Sequence, residues 1–139
     1  MKPAYSIIVP VYNRPDEMDE LLASLVDQDF DGFFEVCVIE DGSTLKSDSV
    51  IKKYESQLSI RYYLKENSGP GDSRNYGMRH AKGNYFIILD SDVILPSHYL
   101  SEIDAFLGKN YLDCFGGADA AHDSFTNLQK AINYTMTSL

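Results

Sequence analysis

The 139-residue sequence predicts an α/β domain, a mostly parallel sheet with helices on both faces. Three observations predict it. Short apolar runs begin near residues 6, 33, 60 and 85, and between them apolar residues recur at the three- and four-residue spacing of a helix. The run Tyr85-Phe86-Ile87-Ile88-Leu89 is apolar throughout, as expected of a strand covered on both faces. Two of the runs end in acids, Glu40-Asp41 and Asp90-Ser91-Asp92, which would stand at the carboxyl-end rim where open α/β sheets bind ligands.

The first strand is expected at Ser6-Ile7-Ile8-Val9, stopped by Pro10, which has no amide hydrogen to give to a central ladder. Pro10-Val11-Tyr12-Asn13-Arg14-Pro15 then turns the chain, and from Asp16 a helix sets Met18, Leu21, Leu22, Leu25 and Val26 on one face. Residues 33–39 form the second strand, interrupted mainly by Glu35, so a right-handed βαβ unit fits into the first 40 or so residues. After Asp41, the turn Gly42-Ser43-Thr44 leads to a helix faced by Val50, Ile51, Tyr54 and Leu58. Ile60-Arg61-Tyr62-Tyr63-Leu64 reads as a shorter strand towards an edge.

A glycine-rich turn over residues 66–72, able to approach a ligand closely, precedes a short helix over 73–81 that ends at Lys82-Gly83. Beyond Asp92, a helix capped at Ser97 turns Tyr99, Leu100, Ile103, Phe106 and Leu107 inward. Residues 112–115 suggest a further strand, and Phe125, Leu128, Ile132 and Met136 a last helix. That pattern is still running at Leu139. The expectation is one domain over residues 1–139, truncated at its C-terminus as the N-terminal portion of a longer protein.

Composition narrows the partners. A net charge of -9 argues against nucleic acid, and a polyphosphate substrate would need a cation to offset the repulsion. No apolar run approaches the roughly 18 residues of a membrane span, so the expectation is a cytoplasmic segment, with membrane association only through absent regions. Cys37 and Cys114 sit among apolar neighbours and read as buried free thiols. His80 and His98 read as solvated, and Tyr62, Tyr63 and Tyr111 as packing or rim.

The first strand is not followed by Gly-x-Gly-x-x-Gly, and no Walker-type Gly-x-x-x-x-Gly-Lys is present, which leaves aspartates and a metal to handle phosphate. Asp90 and Asp92, two apart on an extended strand, would point the same way and could share one Mg2+ or Mn2+. The same two acids could instead cap a helix or open a turn.

Four stretches together carry a family resemblance: Ser-Ile-Ile-Val-Pro-Val-Tyr-Asn over residues 6–13, Glu-Asp-Gly-Ser-Thr over 40–44, Ser73-Arg74-Asn75-Tyr76-Gly77 with Ala81-Lys82-Gly83, and Leu89-Asp90-Ser91-Asp92. In this order they resemble the successive motifs of family 2 glycosyltransferases with the GT-A fold. The resemblance implies inverting transfer of a sugar from a UDP- or GDP-linked donor to a carbohydrate or lipid-linked acceptor, as in polysaccharide biosynthesis. It implies that Pro10, Tyr12 and Asn13 lie against base and ribose, that Asp41 accepts a hydrogen bond from the base, and that Arg74 contacts phosphate or base. It also implies that Asp92 ligates the metal, while Asp90, with Ser91 beside it, contacts ribose or metal-bound water. Glu40 stands where the family more often has aspartate and would hold a neighbouring backbone N–H.

Inversion needs a general base, which this family places in a later loop, expected beyond Leu139; Asp119 is given no such role, and His122 is an acceptor-side candidate. On that reading this stretch alone would bind donor and not catalyse. Two alternatives stay open: a nucleotidyltransferase, which should carry a glycine-rich basic turn where Pro10-Val11-Tyr12-Asn13 stands, and a non-catalytic nucleotide-binding module.

Overall fold

A computed structural model of the protein describes residues 1–116, Thr126 and Asn127; Asp119, His122 and the expected last helix lie outside the described residues. The elements follow in the order β1 (Tyr5–Val11), α1 (Pro15–Val26), β2 (Phe34–Asp41), α2 (Asp48–Tyr54), β3 (Ile60–Lys65), α3 (Pro70–His80), β4 (Tyr85–Ile88) and α4 (Tyr99–Leu107). The four strands form one sheet in the order β3-β2-β1-β4, and all three pairings are parallel. Every βα connection therefore leaves from the same rim. The chain divides into two compact units, Met1–Phe106 and Leu107–Leu139, and the eight residues singled out for donor or metal all belong to the first.

β1 and β2 are buried along nearly their whole length, and Met18, Leu21, Leu22 and Leu25 bury the inner stripe of α1. α3 lies directly on β1 and β2, because Gly77 lets it approach. A Cβ there would stand 2.6 Å from Ile8 Cγ2 and 2.7 Å from Ile39 Cδ1. At the amino ends of the strands, the buried Glu35 carboxylate accepts hydrogen bonds from Ser6 Oγ at 2.6 Å and Lys82 N–H at 2.6 Å, with Arg61 3.6 Å away. A carboxylate so deeply enclosed needs such partners, and they tie the end of α3 to the first two strands.

Several expectations are corrected. β1 does not stop at Pro10 but continues to Val11, with Pro10 in register with Ile39. Ile8 faces β4, since its carbonyl accepts the Leu89 N–H at 3.1 Å, and by the alternation of a strand Pro10 faces the same side. β4 pairing ends at Ile88, so nothing on that side needs the amide hydrogen that proline lacks. β4 itself is an edge strand among the described residues, with Phe86 and Ile88 each 45% exposed and Ile87 buried, rather than a strand covered on both faces.

α3 begins at Pro70 and takes in Gly71 and Asp72; proline suits a first helical turn, where an amide hydrogen has no acceptor. Only Leu100 of α4 is buried. Residues 112–115 form no strand, and Cys114 is exposed. Cys37 is a buried free thiol, and burial pushes its pKa up to about 11. No helix among the described residues is long and apolar enough to cross a membrane.

Candidate functional site

At the carboxyl rim, an open cavity of about 490 Å3 is lined by Pro10, Val11, Tyr12, Arg14, Glu17, Asp41, Pro70, Arg74, Asp90, Ser91 and Asp92. That volume is in the range of small-molecule sites. Seven of the eight residues singled out for donor or metal in the sequence thus line one cleft: Pro10, Tyr12, Asp41, Arg74, Asp90, Ser91 and Asp92.

Asn13, the eighth, does not line it. Its backbone takes the left-handed φ of 54° that asparagine tolerates, and its side chain is turned to the neighbouring loop. Asn13 Oδ1 accepts hydrogen bonds from Thr44 N–H at 2.8 Å, Leu45 N–H at 2.9 Å and Thr44 Oγ1 at 3.1 Å, while its own N–H donates to Ser43 Oγ at 2.8 Å. Asn13 therefore latches the turn after β1 to the turn after β2 and leaves Tyr12, 53% exposed, on the cleft wall.

Glu40 supports the same latch from beneath. Buried, it accepts hydrogen bonds from Ser43 Oγ, from Ser47 N–H at 2.9 Å and from Tyr62 Oη at 2.6 Å. Burial and the Glu40 carboxylate both push the Tyr62 hydroxyl to higher pKa.

Asp41 closes β2 and is 3% exposed. Its Oδ1 accepts from Lys65 Nζ at 2.5 Å and Ser68 N–H at 3.0 Å, and its Oδ2 from Gly69 N–H at 2.9 Å. Burial disfavours its charge, but the ammonium of Lys65, the Ser68 N–H and the Ser73 hydroxyl outweigh it, and the carboxyl is held below the usual carboxylate range. Gly42, at φ 73°, lets the chain turn there; a Cβ would stand 2.6 Å from Asn67 N.

Asp90 and Asp92 lie beyond β4, in a turn rather than on a strand end, so the pleat does not align them as the sequence suggested. Both are exposed on the cleft, and Asp90 Oδ1 is 2.5 Å from Arg74 Nη2. Ser91 Oγ donates to Glu17 Oε2 at 2.9 Å, and Glu17 Oε1 pairs with Arg14 Nε at 3.2 Å. The turn is thereby anchored to α1.

Among the described residues no three His, Cys, Asp or Glu side chains gather as a metal cage. Two exposed carboxylates on this cleft nevertheless fit Mg2+ or Mn2+, which take one or two protein carboxylates and complete their shell with water and substrate phosphate.

Sequence reasoning had no role for Arg14, Glu17 or Lys65. Arg14 and Glu17 flank Pro15 at the start of α1, the first turn of a helix that opens on the rim, and that position was the available signal. Lys65 had none beyond being a lone cation at a strand end, since its partner Asp41 is 24 residues earlier.

A family model described as "Glycosyl transferase family 2" matches residues 6–137. The poly(ribitol-phosphate) beta-N-acetylglucosaminyltransferase TarS of Staphylococcus aureus (strain Mu50) is 37% identical over 112 residues, covering 78% of this chain and 20% of that protein. The crystal structure of S. aureus TarS 1-349 in complex with UDP superimposes with a TM-score of 0.72 at 36% identity, covering 78% of this chain and 32% of that one; a complex with UDP-GlcNAc gives 0.71. The mannosyltransferase PcManGT of Pyrobaculum calidifontis, in complex with GDP-Man and Mn2+, gives a TM-score of 0.62 at 27% identity over 69% of this chain and 29% of its own. This chain thus spans between a fifth and a third of the TarS chains it matches.

Proposed function

Since the chain belongs to glycosyl transferase family 2 and has its GT-A-like α/β fold, we propose that it holds the nucleoside-diphosphate sugar of an inverting, metal-dependent glycosyl transfer to a carbohydrate or lipid-linked acceptor. The observation that carries this reading is the convergence in one cleft of an aromatic face, a buried carboxylate, a guanidinium and two exposed acids. UDP is the first nucleotide to consider, because TarS, at 36% identity, was crystallised with UDP and UDP-GlcNAc.

On this reading Tyr12 offers its ring to the base or ribose, and Asp41 Oδ2 accepts an imide N–H. Arg74 and Arg14 face the diphosphate, where a guanidinium can pair with phosphate oxygens through two N–H groups. Arg74, paired with Asp90, is then shared between that acid and the donor. Asp92, with Asp90, would hold a divalent cation, which when bound stabilises the charge developing on the departing diphosphate. The described residues supply the donor side; none of them is assigned the acceptor's general base.

Calorimetry with UDP, GDP and TDP, with and without Mn2+, tests the reading. UDP binding that tightens with Mn2+ is expected, and the absence of metal-dependent binding of all three nucleotides would overturn it. The Asp92→Ala variant should keep metal-free UDP binding and lose the Mn2+ effect; an undiminished Mn2+ effect removes Asp92 from the ligand set.

A further inference from the structure

Lys65 is the last residue of β3, and its side chain is only 12% exposed although it carries a charge. Its ammonium is fully engaged: Asp41 Oδ1 at 2.5 Å, the Glu66 carbonyl at 2.8 Å, Ser68 Oγ, and Ser73 Oγ at 3.4 Å, with Asp72 Oδ2 3.6 Å away. Ser68 in turn donates its hydroxyl to Asp72 at 2.6 Å. The Ser68 and Gly69 amides that meet Asp41 belong to the same loop, so one part-buried cation organises the whole wall around that carboxylate. Lys65 does not line the cleft, whereas Asp41 does.

A carboxylate that is ionised can only accept hydrogen bonds; a protonated one can also donate. The distinction decides which bases fit. Uracil and guanine present a ring N–H, while cytosine and adenine present a bare ring nitrogen at the equivalent edge. Lys65 and Ser68 both meet Asp41 Oδ1, while Oδ2 meets the Gly69 amide, so Oδ2 is the less engaged oxygen and the one to receive a base N–H. We propose that Lys65 is a positioning residue that confines Asp41 to the acceptor role, so that the cleft selects nucleotides whose base offers a ring N–H and rejects those whose base offers a ring acceptor. The inference rests on the donor reading of the cleft and deepens it.

The geometry distinguishes this from simple wall-building. Burial alone would drive Asp41 towards its neutral, donating form; Lys65 at 2.5 Å is the nearest opposing charge, and the amides of Ser68 and Gly69 and the hydroxyl of Ser73 assist it. The other charged groups nearby are Asp72, beside the ammonium, and Arg74, Arg14, Asp90 and Glu17 around the cleft. Without Lys65, burial has less opposing it and the titration of Asp41 moves up.

The experiment measures UDP and CDP affinities from pH 8 to pH 5.5 without metal and follows their ratio, in which the titration of the shared diphosphate cancels. The unaltered chain should favour UDP about tenfold or more, as expected when a mismatched base leaves a buried acceptor unpaired, with a ratio independent of pH. Lys65→Met should show a ratio that collapses towards unity as the pH falls, and Lys65→Arg should restore the flat profile. A Lys65→Met ratio equal to that of the unaltered chain at every pH overturns the inference. So does a ratio in the unaltered chain that drifts with pH, a test that does not depend on any variant folding. If the unaltered chain binds neither nucleotide, the donor reading itself fails.

Discussion

Asn13 illustrates how much of the site is built by side chains that do not face it. Three hydrogen bonds converge on its Oδ1, and its φ of 54° is one that alanine adopts only with strain. Asn13→Ala should lower stability by about 2–3 kcal/mol, from three exposed hydrogen bonds worth roughly 0.5 kcal/mol each together with about 1 kcal/mol of that strain. Asn13→Gly should cost about 1 kcal/mol less, since glycine accepts the dihedral. Urea unfolding followed by far-UV circular dichroism separates the two, and equal losses would show that the dihedral carries no strain. The family resemblance of the turn Pro10-Val11-Tyr12-Asn13 implied a place for Asn13 at the nucleotide, but whether an amide faces a ligand or a neighbouring loop depends on what lies opposite. Here that is Thr44 and Leu45, about thirty residues away.

The elements were legible wherever one periodicity sufficed. The stripe of α1, the two buried central strands and β3 at an edge all follow from residues within a single segment. Three features needed knowledge of the neighbour. Pro10 is harmless in β1 only because β4 has already ended, and the apolar residues of β4 are half-exposed only because no strand pairs with its outer side among the described residues. The acids after β4 sit in a turn because pairing stops at Ile88. Gly77 shows the opposite case, a local cue with a long-range cause. In a helix interior, Gly→Ala normally stabilises by about 1 kcal/mol. Gly77→Ala should instead lower the melting temperature, because the new Cβ would press on Ile8 and Ile39, and overpacking costs about 1–3 kcal/mol. Adding Ile39→Val, which removes the Cδ1 methyl 2.7 Å from that Cβ, should recover part of the loss; no recovery would place the strain elsewhere.

Across the whole molecule, charge sets the response to acid. Among the described residues four aspartates are held below the ordinary value of 3.8: Asp19 by Lys53, Asp29 by Ser101, Asp72 by Ser68, and Asp41 by Lys65 against the cost of its burial. A group whose folded pKa is depressed contributes its stability above the unfolded value and loses it as the pH falls through the folded one. The melting temperature should therefore change little from pH 7 down to about pH 4 and fall steeply below it. A decline beginning near pH 6 would point to groups other than these carboxylates. The same parallel sheet that gathers every strand-to-helix turn on the cleft side sends every helix-to-strand turn to the other, where Glu35, Ser6 and Lys82 knit the strands' amino ends together. Within Met1–Phe106 the cleft and this knot thus lie at opposite ends of the strands. A surface tether attached at the exposed side chain of Lys82 would hold this unit by the end of the sheet opposite its cleft, an attachment suited to measuring ligand arrival on an immobilised layer.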